Sequence, residues 1–224
     1  MKRWRTWALA ALLVVAGVAA FYLEGEWQEF ATANSVVIVE LGQGHGSGAH
    51  IGGGIILTAA HVVDHDGEIT VRDRFGTKST ATLLWANKSK DIALLKIDND
   101  TAAKIPAASL FCGDINEGDA VTVVGNPLGE EFVSGFGRIA GAARKAGDVE
   151  SVYVVDVSTV MGQSGGPLFH DGKIVGVVSM VMVAPLKSFE PNAADGSDRY
   201  VPSLVGYGYA VPSSVVCGLM GRSA

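Results

Sequence analysis

Basic residues are scarce in this chain. Seventeen Lys and Arg stand against 23 Asp and Glu among 224 residues, a formal net charge of −6. After Lys2, Arg3 and Arg5 no basic block recurs, so general nucleic-acid binding is excluded. Charge of either sign is thin, 18% against 48% hydrophobic, which excludes a largely disordered chain. Cysteine is limited to Cys112 and Cys217, and their spacing matches no metal motif. The simpler expectation is two buried or partly buried free thiols, although a fold that brought them together would allow a pair. Histidine offers no metal pair either: His61 and His65 lack the glutamate of His-Glu-x-x-His, with Asp64 at the wrong place. His65 reads as a loop residue, His45 as water-facing, and His50 as structural or surface. No metal or other cofactor is expected.

Long apolar runs are also missing, with one exception. Residues 7–23 carry no charge and fall just short of the roughly 20 residues of a membrane helix. The basic flank is expected to stay in the cytoplasm, with the rest exported. Val18-Ala19-Ala20 offers a cleavage site, but Phe21-Tyr22-Leu23 continue the apolar run. The expectation is an uncleaved inner-membrane anchor facing the periplasm or exterior, or a secreted protein if the segment is cut.

The chain is rich in glycine, 29 residues in all, interleaved with short β-branched runs. Segments 35–41, 48–51, 54–58, 69–72, 81–85 and 92–97 read as strands, with one helical turn over 60–63. A second series covers 120–124, 132–139, 151–157, 167–169, 173–180 and 207–211. Asp171-Gly172 signals a tight hairpin, and 213–221 a short terminal helix. Residues 184–203 read as a long loop. The expected organisation is a targeting segment over 1–23, a tether over 24–34, a first β-unit over 35–108, and a second with the terminal helix over 109–224.

Chemistry concentrates in three places. Gly162-Gln163-Ser164-Gly165-Gly166-Pro167-Leu168 sets a serine among glycines, a pattern that exposes a hydroxyl beside backbone N–H groups. Leu57-Thr58-Ala59-Ala60-His61-Val62-Val63 and Asp91-Ile92-Ala93-Leu94-Leu95-Lys96 add an imidazole and a carboxylate. His61, Asp91 and Ser164 thus follow the chain order of one known triad, each at the edge of an apolar strand. The Gly-x-Ser-x-Gly spacing also fits the nucleophile elbow of α/β-hydrolases. That fold needs its acid and then its histidine downstream of the serine. The one later histidine, His170, sits in the Asp171-Gly172 hairpin, and long amphipathic helices are missing.

These segments resemble the chymotrypsin-like serine proteases, and most of all their HtrA (Deg) branch. The likeness covers about 35–215. It includes Gly46-Ser47-Gly48, Gly118-Asp119, Gly125-Asn126-Pro127-Leu128-Gly129 and Gly208-Tyr209-Ala210-Val211-Pro212 besides the three segments above. The resemblance implies an all-β fold of two six-stranded antiparallel barrels with the active site in the cleft between them. It implies a serine endopeptidase acting on polypeptides through an acyl-enzyme. Ser164 would be the nucleophile, His61 the base and Asp91 its orienting acid, with the Gly162 and Ser164 amides as oxyanion hole. It places Ser158, Thr159, Ser179, Met180 and Val181 near the substrate pocket, with Ser179 at a position that often hydrogen-bonds the triad aspartate. Val181 replaces a glycine common where large side chains enter, and no acidic residue stands at the pocket base. Cleavage after small or medium aliphatic residues is therefore expected. Gln163 stands where relatives usually have Asn, and only its backbone is expected to matter. HtrA proteins usually continue into PDZ domains; this sequence ends soon after Pro212, and regulation by a PDZ domain is not expected. Trp27 and Phe30 stand where relatives use aromatics to trimerise, or next to a membrane interface, and leave the oligomeric state open. The alternative function is a membrane-tethered, protease-like binding module without turnover.

Overall fold

Period-two alternation of apolar residues forms strands wherever both strand faces find partners. The computed structural model describes residues 32–187 and 200–222. Its first six strands are β1 (Val36–Leu41), β2 (Gly44–His50), β3 (Ile55–Thr58), β4 (Ile69–Arg72), β5 (Lys78–Asn87) and β6 (Ile92–Lys96). They close into a barrel of order β1-β2-β3-β6-β5-β4. A 3₁₀ turn, Ala60–Val63, follows β3. A short helix, α1 (Asn99–Ala102), follows β6. Asp98 caps α1 by accepting the Thr101 N–H at 2.8 Å, and it also accepts the Ser79 hydroxyl at 2.7 Å. These donors hold the Asp98 carboxyl well below the usual carboxylate range, the Thr101 backbone N–H contributing most.

The second unit comprises β7 (Ser109–Leu110), β8 (Ala120–Gly125), β9 (Val133–Ala146), β10 (Val149–Asp156), β11 (Pro167–His170), β12 (Lys173–Lys187), β13 (Tyr200–Pro212) and the helix α2 (Ser213–Leu219). Its sheet runs β11-β8-β9-β10-β13-β12-β7, and an additional β11–β12 pairing closes six of these strands into a ring. The small strand β7 lies parallel to β12 at its margin. The expected hairpin is present: Asp171 and Gly172 both have positive φ, 48° and 70°, between paired His170 and Lys173.

Strand alternation also builds the seam between the two units. In β1, Val37 and Val39 enter the first barrel's core, whereas Val36 faces the other way. In β3 and β6, Ile56 and Ala93 point into the barrel and Leu57 and Ile92 point out. The outward set packs with Val124, Phe169, Val177 and Val211 of the second unit. Val36, Leu57, Ile92, Val177 and Val211 are all at most 1% exposed. Burying each such side chain is worth about 1.5–3 kcal/mol, so the seam holds the two units in register. A separate core, with Val123, Val155, Leu168 and Val178, fills the second ring.

Three expectations need correction. Strand β2 begins at Gly44, four residues before the predicted 48–51, because Gly44 to Ser47 pair with β1. Both ends of the expected loop over 184–203 are strand, because β12 runs on to Lys187 and β13 begins at Tyr200, with Val183 paired to Leu204 and Lys187 to Tyr200. Turn-forming composition there is overridden by cross-strand partners. Free thiols are not found: Cys112 and Cys217 form a disulfide with Cα atoms 5.7 Å apart. The residues lie 105 positions apart, too far for local sequence to reveal. Among the described residues no helix is long and apolar enough to cross a membrane. The apolar segment 7–23, Trp27, Phe30 and the remainder of the expected loop, 188–199, lie outside the described residues.

The disulfide ties α2 to the segment leaving β7 and closes a long loop, for which chain-entropy estimates give up to about 4.7 kcal/mol. Replacing both cysteines by alanine should lower unfolding free energy by about 2–4 kcal/mol, read from urea denaturation under non-reducing conditions; an unchanged midpoint would contradict this. Asp98 gives a pH-dependent term. Its folded value is depressed, so its stabilisation is present above the unfolded value of about 4 and is lost as pH falls through the folded value. Asp98→Asn, which keeps a capping side chain, should therefore show a shallower loss of stability between pH 5 and pH 2, in the ranges implied by about that reference value. Equal acid slopes in denaturation series would rule this out.

Candidate active site

His61 owes its place to its neighbours. Ala60 and Val63 of the 3₁₀ turn are buried in the first barrel's core, which turns His61 outward with its side chain 47% exposed. Asp91 ends the turn between β5 and β6, where its N–H bonds the Lys88 carbonyl at 3.2 Å. It is 5% exposed and has φ +51°, a left-handed conformation that aspartate tolerates better than most residues. His61 and Asp91 meet directly. Nδ1 lies 3.0 Å from both carboxylate oxygens, and the His61 backbone N–H donates to Oδ1 at 3.1 Å. Ser179 Oγ of β12 donates to Oδ2 at 2.5 Å. An ionised carboxylate only accepts, so Nδ1 carries the hydrogen and Nε2 of the neutral ring is left as the basic nitrogen.

Ser164 sits between β10 and β11 on a turn that sequence alone makes possible. Gly162 has φ +93°, and a Cβ there would lie 2.2 Å from the Asn126 carbonyl oxygen. Gly165 has φ +81°, and its Cβ would meet both the Ser47 carbonyl and Thr58 Oγ1 at 2.2 Å. No side chain fits either place. The turn is held from both units: Ser47 N–H of β2 donates to the Ser164 carbonyl at 2.8 Å, and Gly165 N–H to Val178 of β12 at 2.7 Å. Gly46 lies between Ser164 and the His61 segment; a Cβ there would be 3.0 Å from the Ser164 carbonyl and 2.7 Å from the Val62 methyls. The Ser164 turn is thus seated against the strand and turn that carry His61. Among the described residues Ser164 Oγ makes no hydrogen bond, and none joins it to His61 Nε2. Such contacts often tighten only when substrate binds.

The amides of this turn are oriented by their own carbonyls. In a trans peptide, C=O and N–H point in opposite directions. The Met161 carbonyl accepts the Leu128 N–H at 2.9 Å, so the Gly162 N–H points away from Leu128. The Gln163 carbonyl accepts the Gly166 N–H at 2.8 Å, so the Ser164 N–H points away from Gly166. Neither amide has a hydrogen-bond partner among the described residues, which leaves two donors for an incoming oxygen.

The other singled-out residues fall in one neighbourhood on β12, β13 and the loop before the turn. Met180 pairs with Tyr209 and Val181 with Gly208, and both side chains are half-buried. Thr159 is 4% exposed and packs on Gly208, where a Cβ would lie 2.1 Å from Thr159 Oγ1. That hydroxyl has no hydrogen-bond partner among the described residues. Ser158 is exposed. Gln163 contributes more than backbone: it is 3% exposed, and its Oε1 accepts the Val160 N–H at 2.8 Å, clipping the preceding loop to the turn. His50 is buried, with Nδ1 on the Ile105 carbonyl and Nε2 accepting the Gly54 N–H. His45 is exposed, and its Nε2 lies 3.0 Å from the Asn126 carbonyl beside Gly162. Sequence reasoning assigned no role to Ser47 or Asn126, although both lie in the glycine-flanked segments it singled out.

Comparison with known proteins finds relatives of this chain. The model of the trypsin-like peptidase domain family matches residues 46–177. Serine protease Do-like HtrA of Bacillus subtilis is 31% identical over 180 residues, which cover 74% of this chain and 40% of that protein. A probable periplasmic serine endoprotease DegP-like of Halomonas elongata is 35% identical over 134 residues, covering 57% and 27%. The chain thus spans less than half the length of these curated relatives. Among solved structures, the serine endoprotease from Yersinia pestis superposes with a TM-score of 0.67 at 26% identity, covering 88% of this chain and 65% of that one. The Rv3671c protease in its inactive form gives 0.69 at 25% identity, covering 88% and 93%. With more than half of its residues matched and the two-unit β-fold shared, the chain belongs to the trypsin-like peptidase domain family.

Proposed function

We propose that this chain is a serine endopeptidase using Ser164, His61 and Asp91. The observation that carries the reading is the His61–Asp91 pairing, which fixes the imidazole tautomer with Nε2 free, next to the glycine-framed Ser164 turn. Ser164 Oγ attacks the scissile carbonyl carbon as His61 Nε2 takes its proton. The oxyanion forms against the Gly162 and Ser164 amides, each such donor being worth about 2.7–4 kcal/mol in the transition state. Asp91, already bonded to the ring, stabilises the imidazolium. His61 then protonates the leaving amine, and water, deprotonated by the same nitrogen, releases the acyl group.

The disulfide supports an oxidising, extracytoplasmic setting, as do the periplasmic names of relatives. Segment 7–23 would anchor the chain in the inner membrane. Preference for small or medium aliphatic side chains before the scissile bond is supported by half-buried Met180 and Val181 and by the lack of any charge among Ser158, Thr159, Met180 and Val181. Protein or peptide chains are the substrates in this reading.

A fluorophosphonate should label wild-type protein and not Ser164→Ala, and Ser164→Ala or His61→Ala should lower kcat by roughly 10⁴ or more. No labelling of the wild type would instead favour a silent binding module. A peptide library digested by the full chain should show Val, Ala or similar residues before the cut; a profile dominated by Arg, Lys or Glu refutes the pocket reading.

A further inference from the structure

We infer that Ser47, a residue of the first barrel, is the positioning residue that orients the oxyanion turn of the second unit. This rests on the peptidase reading of Ser164 and extends it to a side chain that does not touch the reacting atoms.

Four successive peptide planes run from Met161 to Gly165. Gly162 and Ser164 supply the two candidate oxyanion amides, and each plane from Met161 to Gly165 is held by its carbonyl. Leu128 N–H holds the Met161 carbonyl at 2.9 Å and Gly166 N–H holds the Gln163 carbonyl at 2.8 Å. The other two belong to Ser47. Its Oγ donates to the Gly162 carbonyl at 2.8 Å, and its N–H donates to the Ser164 carbonyl at 2.8 Å. One residue thus grips both sides of Gln163.

Ser47 also reaches a third plane. A hydroxyl has one donor and two acceptor positions, and Ser47 Oγ uses them all. Besides donating to Gly162, it accepts the Asn126 backbone N–H and the Asn126 Nδ2–H, both at 3.0 Å. Asn126 precedes the Pro127–Gly129 turn that presents the Leu128 N–H to Met161. Asn126 Oδ1 in turn accepts the Phe132 N–H at 2.9 Å, which pins the far end of that turn. Ser47 itself cannot rotate away. It is fully buried, and its carbonyl accepts Thr58 Oγ1 at 2.7 Å, three residues before His61. The base and the oxyanion donors are therefore referenced to the same residue across the seam.

Removing this hydroxyl strips the Gly162 carbonyl and two Asn126 donors of their partner while leaving Ser164, His61 and Asp91 in place. The consequence is loss of oxyanion alignment with little change in ground-state peptide binding. In the full chain, Ser47→Ala should lower kcat by about 10–100-fold, less than or comparable to losing one donor outright, with KM changed less than about threefold. The inhibition constant of a peptide boronate, which places a negative oxygen at the oxyanion site, should weaken by a factor similar to the loss in kcat. Ser47→Cys, close in shape and a weaker donor, should fall between wild type and Ser47→Ala, and it decides the matter if the alanine variant does not fold. A folded variant with kcat within twofold of wild type, or a loss confined to KM or to melting temperature, overturns the assignment. Fluorophosphonate labelling of the wild type keeps the two readings apart. An unlabelled wild type sinks the peptidase reading, whereas a labelled wild type with an unaffected Ser47→Ala sinks only this one.

Discussion

A strand in a closed barrel has an inner face and an outer face, and in β1, β3 and β6 both faces are apolar. The inner face makes the first barrel. The outer face, with Val36, Leu57 and Ile92, must be covered, and the second unit covers it with Val124, Phe169, Val177 and Val211. This seam precedes every other feature of the site. His61 and Asp91 leave strands on one side of it, and Ser164 leaves the loop before β11 on the other. Without that dry contact the hydrogen bonds from Ser47 to the Ser164 turn would compete with water and lose most of their directing force.

Once the seam is closed, polar groups inside it must find partners. Asp91 is nearly buried and accepts from the His61 ring, the His61 amide and Ser179 Oγ. Its unfavourable backbone conformation, φ +51°, is the kind of local strain that rigid surroundings maintain at functional sites. Ser47 and Asn126 follow the same logic beside the Ser164 turn, where every donor and acceptor position of the Ser47 hydroxyl is used. The exception is the Thr159 hydroxyl, buried against Gly208 without a partner among the described residues. A buried hydroxyl in that condition typically costs about 1–3 kcal/mol, and it stands in the segment assigned to the substrate pocket.

Much of this was readable from local pattern. Most strand cores, the Asp171-Gly172 hairpin, the turn carrying His61 and the terminal helix each depend on a few adjacent residues and appear where the pattern puts them; β2 does not, because its glycines at 44, 46 and 48 hide a strand that begins at Gly44. The long arms of β12 and β13 were not readable. Pro185, Pro202 and Ser203 look like loop residues until each is paired across the hairpin. The capped helix α1 was missed because four residues give too short a period. The Cys112–Cys217 bond joins positions 105 apart, and nothing local distinguishes it from two thiols.

The site divides along the same line. Local pattern supplied the residue types: an imidazole, a carboxylate and a hydroxyl at strand edges, and glycines at 162 and 165, where positive φ angles demand the absence of a side chain. Chain order and the flanking motifs carried the resemblance that led to the fold. Which polar groups hold the turn depends instead on packing across the seam. Ser47 is 115 residues from Gly162 and 79 from Asn126, and a serine hydroxyl looks the same in sequence whether it faces water or three buried partners. Hydrogen bonds of this kind are set by the separation and orientation of two strands across the seam, and those are properties of packed surfaces rather than of any short stretch of chain.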